Sequence, residues 1–280
     1  MHPAFDLAAY FARIDLESTP RADADGLDAI QRAHRSKIAF ENLDIPLGHG
    51  VSLEPDRVFD KLVTRGRGGY CFEQNQLFLG ALRALGFEAR PLMARVWLGA
   101  EGIPPRTHTL NLVRIGDVDW IADAGFGGGY VPPLPLAEAE PIPTPDDAAH
   151  RLRCDPDHGW TLERRGSAAL TDGRIAPSRD GWLQQYSFSL DHVPPADLEI
   201  ANHWTASRPN TRFTTLQVVS IARPTGFASM VDGLLTMSEN DRKKDKIATA
   251  QAYGAALRND FNLAVDDDQA ARLFNAIGSM

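Results

Sequence analysis

At 280 residues, 43% hydrophobic and 24% charged, the chain has the composition of an ordinary globular protein and exceeds the size of a single core, so two or three packed subdomains are expected. A net charge of −8, with no basic stripe interleaved with aromatics, disfavours nucleic acid as a partner. The two cysteines, with no CxxC pair, argue against a disulfide framework or zinc site, and the eight histidines lack ligand spacing, so no metal is expected.

Residues 4–14 place Leu7, Phe11 and Ile14 on one helical face, and residues 25–38 do the same with Leu27, Ile30, His34 and Ile38. His34 reads as a hydrogen-bonded core histidine rather than a ligand. An extended segment from Phe40 to Pro46 follows, and Pro55 suits the first turn of a third helix carrying Val58, Phe59 and Leu62. Arg65 to Tyr70 form a tight glycine-rich loop. Helical spacing then resumes through Gln74, Phe78, Ala81, Leu82 and Leu85, closed by Gly86. Cys71 therefore opens a helix, where free amides and the helix dipole favour a thiolate, and Arg65 and Arg67 push the same way. Two readings stand at this point: a nucleophile, or a small buried hydrophobe.

After Gly86 the period switches to two, through Leu92, Ala94, Val96 and Leu98, then Thr107 to Ile115, then Val118 to Asp123. Gly116-Asp117 predicts a hairpin with Ile115 opposite Val118, Val113 opposite Trp120 and Leu110 opposite Asp123. That register puts His108 and Asp123 on one face as diagonal neighbours. The proline-rich residues 130–147 read as a long surface connection, and Trp160 to Arg164 and Trp182 to Ser189 as further strands of a barrel. Cys154 reads as structural or incidental. Beyond Pro194 come a short helix, strands near Leu216 to Ala222 and Phe227 to Met237, and two helices, one with Ile247, Ala250, Tyr253 and Leu257. Arg242-Lys243-Lys244 reads as a solvated basic corner.

A thiol needs a base to become nucleophilic at neutral pH, and an imidazole needs a carboxylate to fix its tautomer. Cys71, His108 and Asp123 can supply all three. Ala124-Gly125-Phe126-Gly127-Gly128-Gly129 directly after Asp123 is a loop whose amides can converge on an anion; it lacks the Gly-Lys-Ser/Thr of a nucleotide-binding loop.

Arg-Gly-Arg-Gly-Gly-Tyr-Cys-Phe-Glu-Gln-Asn at 65–75, Pro-Arg-Thr-His-Thr-Leu-Asn-Leu-Val at 105–113, Asp-Ala-Gly-Phe-Gly-Gly at 123–128 and Phe-Glu-Asn-Leu at 40–43 together resemble arylamine N-acetyltransferases. The resemblance implies an α+β fold with an N-terminal helical bundle (1–86), a central β-barrel (87–193) and a C-terminal α/β lid (194–280) around a cysteine-protease-like Cys-His-Asp core. It also implies acetyl-CoA as co-substrate and aromatic amines, hydrazines or hydroxylamines as acceptors, with ping-pong transfer through acetyl-Cys71. On the same resemblance Phe40, Val96 and Phe126 line the acceptor pocket, while Thr109 and the Gly127, Gly128 and Gly129 amides lie near the CoA pyrophosphate. No run approaches a membrane span and no leader is visible, so no membrane partner and a cytoplasmic address are expected. The sequence leaves monomer and homodimer undecided. A transglutaminase-like cysteine hydrolase shares the Cys, His, Asp order, but Phe72 stands where those enzymes tend to carry tryptophan. An amide synthase of the same family using a longer acyl chain, and a binding protein that keeps the fold, are the other readings.

Overall fold

Side chains that accept from free amides open the first two helices. Asp6 accepts from Ala9 N at 3.0 Å to start α1 (Leu7–Ile14), and Asp23 accepts from Gly26 N at 2.9 Å to start α2 (Ala24–Lys37). The computed structural model describes residues 5–167, 174, 177–238 and 242–277. After the short strand β1 (Phe40–Glu41), α3 (Pro55–Phe59) begins on Pro55 as expected and then widens into a π-helical turn over Asp60–Thr64. The next helix, α4 (Cys71–Ala84), opens at the cysteine. It closes on Gly86 at φ +87, with Gly86 N donating to Arg83 O and Phe87 N to Leu82 O, each at 3.0 Å. Tyr10, Ile14, Leu27, Ile30, Leu62 and Phe78 are buried between these helices.

The strands β2 (Glu88–Val96), β3 (Arg106–Ile115), β4 (Val118–Ala122), β5 (Leu134–Pro135), β6 (Ile142–Pro143), β7 (Ala149–Asp155), β8 (Gly159–Arg165), β9 (Ser178–Arg179) and β10 (Trp182–Phe188) form one antiparallel, barrel-like sheet. Its order is β5-β4-β3-β2-β10-β8-β7-β6, with β9 paired to β10. The hairpin has the expected register, with Ile115 opposite Val118 and Val113 opposite Trp120. The proline-rich stretch departs from expectation: Tyr130 to Leu134 are buried, and β5 and β6 are the two ends of the strand order. Proline cannot donate to a ladder, so a strand containing one is admitted at an edge.

The chain ends with α5 (Pro195–Ser207), α6 (Arg212–Thr215), β11 (Val218–Arg223), β12 (Gly226–Val231), β13 (Leu234–Ser238), β14 (Arg242–Lys246), α7 (Ala250–Phe261) and α8 (Asp267–Ala276). Phe227 to Met237 is two strands, broken at Asp232 and Gly233, both at positive φ. The expected basic corner is β14, and Ile247 precedes α7 rather than joining it. The five-stranded sheet has the order β1-β11-β12-β13-β14, so Phe40 and Glu41 of the N-terminal segment complete the C-terminal sheet opposite Ser220 and Val219.

His34 is fully buried, as read from sequence. The Gln74 amide nitrogen donates to Ala39 O at 2.7 Å and Gly69 O at 3.1 Å, so its oxygen faces His34 Nε2 at 2.6 Å. Nε2 must therefore donate, and Nδ1 accepts from the Tyr10 hydroxyl at 2.8 Å. Burial lowers the His34 pKa to about 3, helped by Arg35 and Arg13 and opposed by the Gln74 bond. The unfolded chain titrates this group near about 6.5. Between the two values the unfolded state binds more protons, so the stability present above about pH 6.5 is lost on acidification, at about 1.4 kcal/mol per pH unit. We expect His34→Gln to show a shallower loss of stability between about pH 6 and 4, read from urea midpoints across that range.

Candidate active site

The loop before α4 is held by backbone and by charge. Glu41 N donates to Gly69 O at 3.0 Å and Gly69 N to Ala39 O at 3.3 Å, an approach that demands glycine: a β-carbon on Gly68 would lie 2.2 Å from Ala39 O. Glu73 accepts from Tyr70 N at 3.1 Å and from Lys61 Nζ at 2.8 Å, fixing the first turn. Lys61 also meets Asp44 at 2.8 Å, and Arg67 meets Glu41 and Asp44, each at 3.1 Å. Three carboxylates thus face two cations. Burial raises the Glu73 carboxyl to about 7, opposed by Lys61 and reinforced by Glu41 and Asp44. The expectation that Arg65 and Arg67 act on the thiol is corrected here, because Arg67 is committed to this cluster and Arg65 pairs with Asp60 at 2.8 Å.

Cys71 is 3% exposed, and its Sγ lies 3.7 Å from Thr107 O. Burial and the Asp123 charge push the thiol up, while hydrogen bonds from the backbone amides of Phe72 and Thr109 pull it down. Cys154 is exposed on β7.

His108 Nε2 donates to Asp123 Oδ2 at 2.7 Å with both side chains buried. Asp123 Oδ1 accepts from Asn75 Nδ2 at 2.9 Å and Gly125 N at 2.8 Å, and its own amide donates to Gln31 Oε1 at 2.8 Å. Burial alone would raise this carboxyl, but the His108 charge and hydrogen bond, with Asn75 and the Gly125 amide, hold it below the usual carboxylate range. With Nε2 occupied as donor, Nδ1 keeps the imidazole's lone pair. The Phe126 and Tyr186 rings pack on the imidazole at 5.2 and 5.0 Å between centroids.

A cavity of about 660 Å³ brings together Cys71, His108, Phe40, Val96, Phe126 and the Gly127 to Gly129 loop. Thr109 is the departure. Its hydroxyl donates to Leu92 O at 2.8 Å on the face of β3 opposite to the barrel core, and Thr107 lines the cavity in its place. Strand alternation turns Thr109 away from the face of His108, and a bulge brings Thr107 to the cavity: Ala94 pairs with His108 and Arg95 with Arg106, leaving Thr107 as the extra residue. Gly127 and Gly128 have φ of +75 and +71. Arg35 donates to Gly128 O at 3.0 Å and Gly129 O at 2.9 Å, and Gly128 N donates to Ser220 Oγ at 3.0 Å. Among the described residues no group of three or more His, Cys, Asp or Glu is arranged to hold a metal.

Asn75, Gln31 and Arg35 escaped the sequence reading; the period-3.6 face that holds them carried no sign of which polar side chain turns inward. A row across the second sheet also escaped it. Ser220, Ser229, Thr236 and Lys244 are successive cross-strand partners, and all four line the cavity.

A family model described as N-acetyltransferase matches residues 23–270. The arylamine N-acetyltransferase of Escherichia coli (strain K12) is 32% identical over 262 residues, covering 92% of this chain and 89% of that protein. A Salmonella typhimurium arylamine N-acetyltransferase / N-hydroxyarylamine O-acetyltransferase is 36% identical over 210 residues, covering 74% of this chain and 69% of that protein. The structure of Mycobacterium marinum arylamine N-acetyltransferase in complex with CoA superposes with a TM-score of 0.83 at 27% identity, covering 97% and 99% of the two chains.

Gly125 packs against the start of α4, where a β-carbon would lie 2.6 Å from Asn75 Nδ2 and 2.8 Å from both Cys71 Cα and Cys71 O. Gly125→Ala should therefore destabilise the fold by about 1–3 kcal/mol through overpacking, measured as a lower urea midpoint. An unchanged midpoint would mean that the helix start and the loop can part without cost.

Proposed function

We propose the reaction from one premise: this chain belongs to the arylamine N-acetyltransferase family. It transfers the acetyl group of acetyl-CoA to arylamines, with arylhydrazines and arylhydroxylamines as further acceptors. What carries the mechanistic reading is the buried 2.7 Å bond between His108 and Asp123 on a cavity shared with Cys71.

A bare thiolate is costly in this buried site, so charge has to form together with its partner. His108 Nδ1 takes the Cys71 proton as Sγ attacks the acetyl carbonyl, and the ionised Asp123 stabilises the imidazolium. The carbon–sulfur bond to CoA breaks, His108 returns the proton to the leaving thiolate, and acetyl-Cys71 remains. The acceptor nitrogen then attacks the thioester carbonyl; His108 accepts the N–H proton and returns it to Sγ. The Cys71 amide at the start of α4 is our candidate donor to the oxyanion.

Phe40, Val96 and Phe126 give the acceptor ring apolar faces. For the donor's phosphates we assign the Gly127 to Gly129 loop, with Thr107 replacing Thr109 and the Ser220, Ser229, Thr236 and Lys244 row leading away from it. Gly128 N meets Ser220 at the head of that row, and hydroxyls with one lysine suit an anion in a protein of net charge −8. We further assign residues 1–86, 87–193 and 194–280 to nucleophile-bearing, base-bearing and lid segments, and place the protein in the cytoplasm. No helix among the described residues is long and apolar enough to cross a membrane.

Incubation with acetyl-CoA alone should add about 42 Da, one acetyl group, to the Cys71 peptide. Cys71→Ser should abolish turnover with the fold retained, and Cys154→Ser should keep most activity. An adduct on Cys154, or none, would sink the assignment. Gly128→Val should raise the KM for acetyl-CoA more than that for the amine, because a β-branched residue cannot hold φ +71; normal Cys71 acetylation with failed transfer to the amine would reassign the loop to the acceptor.

A further inference from the structure

One polar stripe of α2 grips the glycine loop along its whole length, and the triad uses only part of that grip. Asp28, Gln31, Arg32 and Arg35 recur at the three- and four-residue spacing of one helix face. Gln31 spans the loop, accepting from Asp123 N at one end and donating to Val131 O at the other, each at 2.8 Å. Asp28 accepts from the Tyr130 hydroxyl at 2.7 Å, and the Arg32 guanidinium lies 4.2 Å from the centre of the Tyr130 ring. Arg35 is 4% exposed, and one of its terminal nitrogens draws together the carbonyls of Gly128 and Gly129, at 3.0 and 2.9 Å. Among the described residues its hydrogen bonds go only to these two oxygens, with no carboxylate in ion-pair range.

A buried guanidinium without a carboxylate of its own is costly. Burial works against its charge and Asp123 supports it, but the Asp123 oxygens are already committed to His108 and Asn75. In a planar trans peptide the N–H points opposite to the C=O. Drawing the Gly128 and Gly129 carbonyls towards α2 therefore turns the Gly129 and Tyr130 amides away from it. Both residues line the cavity, and among the described residues neither amide has an acceptor. Free amides backed by a fixed positive charge make a place for an anion. The Asp146 carboxylate also approaches Gly129, but Thr144 and Arg164 hold it. We propose that Arg35 is a positioning residue for the phosphate-bearing donor: it aims the Gly129 and Tyr130 amides at the diphosphate and supports that anion with its charge from behind the loop. The proposal rests on the assignment of this loop to the donor, and supplies the cation that a protein of net charge −8 otherwise lacks there. Recognition of the donor is thereby set from α2, which itself has no residue on the cavity wall.

The test is the second-order rate constant of Cys71 acetylation by acetyl-CoA and by S-acetylpantetheine, which carries the same thioester and arm without any phosphate. The native protein should prefer acetyl-CoA by about tenfold or more, as expected of hydrogen bonds to a charged group. Arg35→Met should bring that ratio down towards one, and Arg35→Lys, which keeps a charged donor, should restore part of it. Acetyl-dephospho-CoA keeps the diphosphate and lacks the ribose phosphate, so Arg35→Met should slow it as much as it slows acetyl-CoA. Should Arg35→Met fail to fold, judged by its urea midpoint, Arg35→Gln carries the same comparison with a neutral donor in the same place. A native preference that survives substitution of Arg35 overturns its role while leaving the loop with the donor. A loss shared equally by acetyl-CoA and S-acetylpantetheine, with the ratio unmoved, gives Arg35 to Asp123 or to the fold and also overturns the proposal. So does a loss that spares acetyl-dephospho-CoA, which would move the contact to the ribose phosphate. Equal handling of acetyl-CoA and S-acetylpantetheine by the native protein strikes the assignment of the loop itself, and this proposal with it.

Discussion

The structure depends on keeping one carboxylate ionised without water. Asp123 is buried, and a lone carboxylate there would take up a proton rather than bear the cost of desolvation. It stays charged because each oxygen is engaged: His108 on one, Asn75 and the Gly125 amide on the other. Those partners come from β3, α4 and the glycine loop, and Gln31 of α2 holds the Asp123 amide. Removing any of them therefore moves an element as well as a charge. The site is built as a single unit in which the helical layer, the hairpin and the loop are fixed by the same group.

How much of this was legible in sequence follows the range of the interactions involved. Local geometry read well. The Gly116-Asp117 turn and the alternation around it determine the register that puts His108 beside Asp123, and the Gly86 cap marks where α4 ends. Readings that needed a distant partner failed. Thr109 is placed near the pyrophosphate by the resemblance alone, and the bulge that brings Thr107 to the cavity instead depends on the Ala94 to Arg95 pairing on β2. Arg65 and Arg67 looked like activators because Asp60, Glu41 and Asp44 were not known to reach them first. The basic run at 242–244 looked like a solvated corner, since an edge strand rich in lysine has no apolar period to announce it. Composition also misled over residues 130–147, where proline marks a sheet edge as readily as an exposed loop.

The cavity lies between two sheets of different character. On the barrel side the walls are apolar with a small buried polar group; on the other sheet a row of hydroxyls runs across four strands to Lys244. The two substrates of a transfer reaction do not need to share a binding surface. Cys71, His108 and Phe126 line the same cavity as both walls, and the glycine loop meets Ser220 of one wall while approaching Asp146 of the other.

The pairing of β1 with β11 bears on how such a chain emerges from the ribosome. Phe40 bridges Gly69 on one side and pairs with Ser220 on the other, so the cavity wall at Phe40 is made from segments far apart in the sequence. During synthesis the first helices and the barrel can bury their own cores, but the free edge of β1 waits until β11 has been translated. The contact is of high sequence separation, and closing it is the slow, late step expected of non-local strand pairing. A fragment that stops short of β11 thus carries Cys71, His108 and Asp123 yet lacks one side of the cavity that Cys71 and His108 line. Assembly of the cavity is coupled to translation of the second sheet.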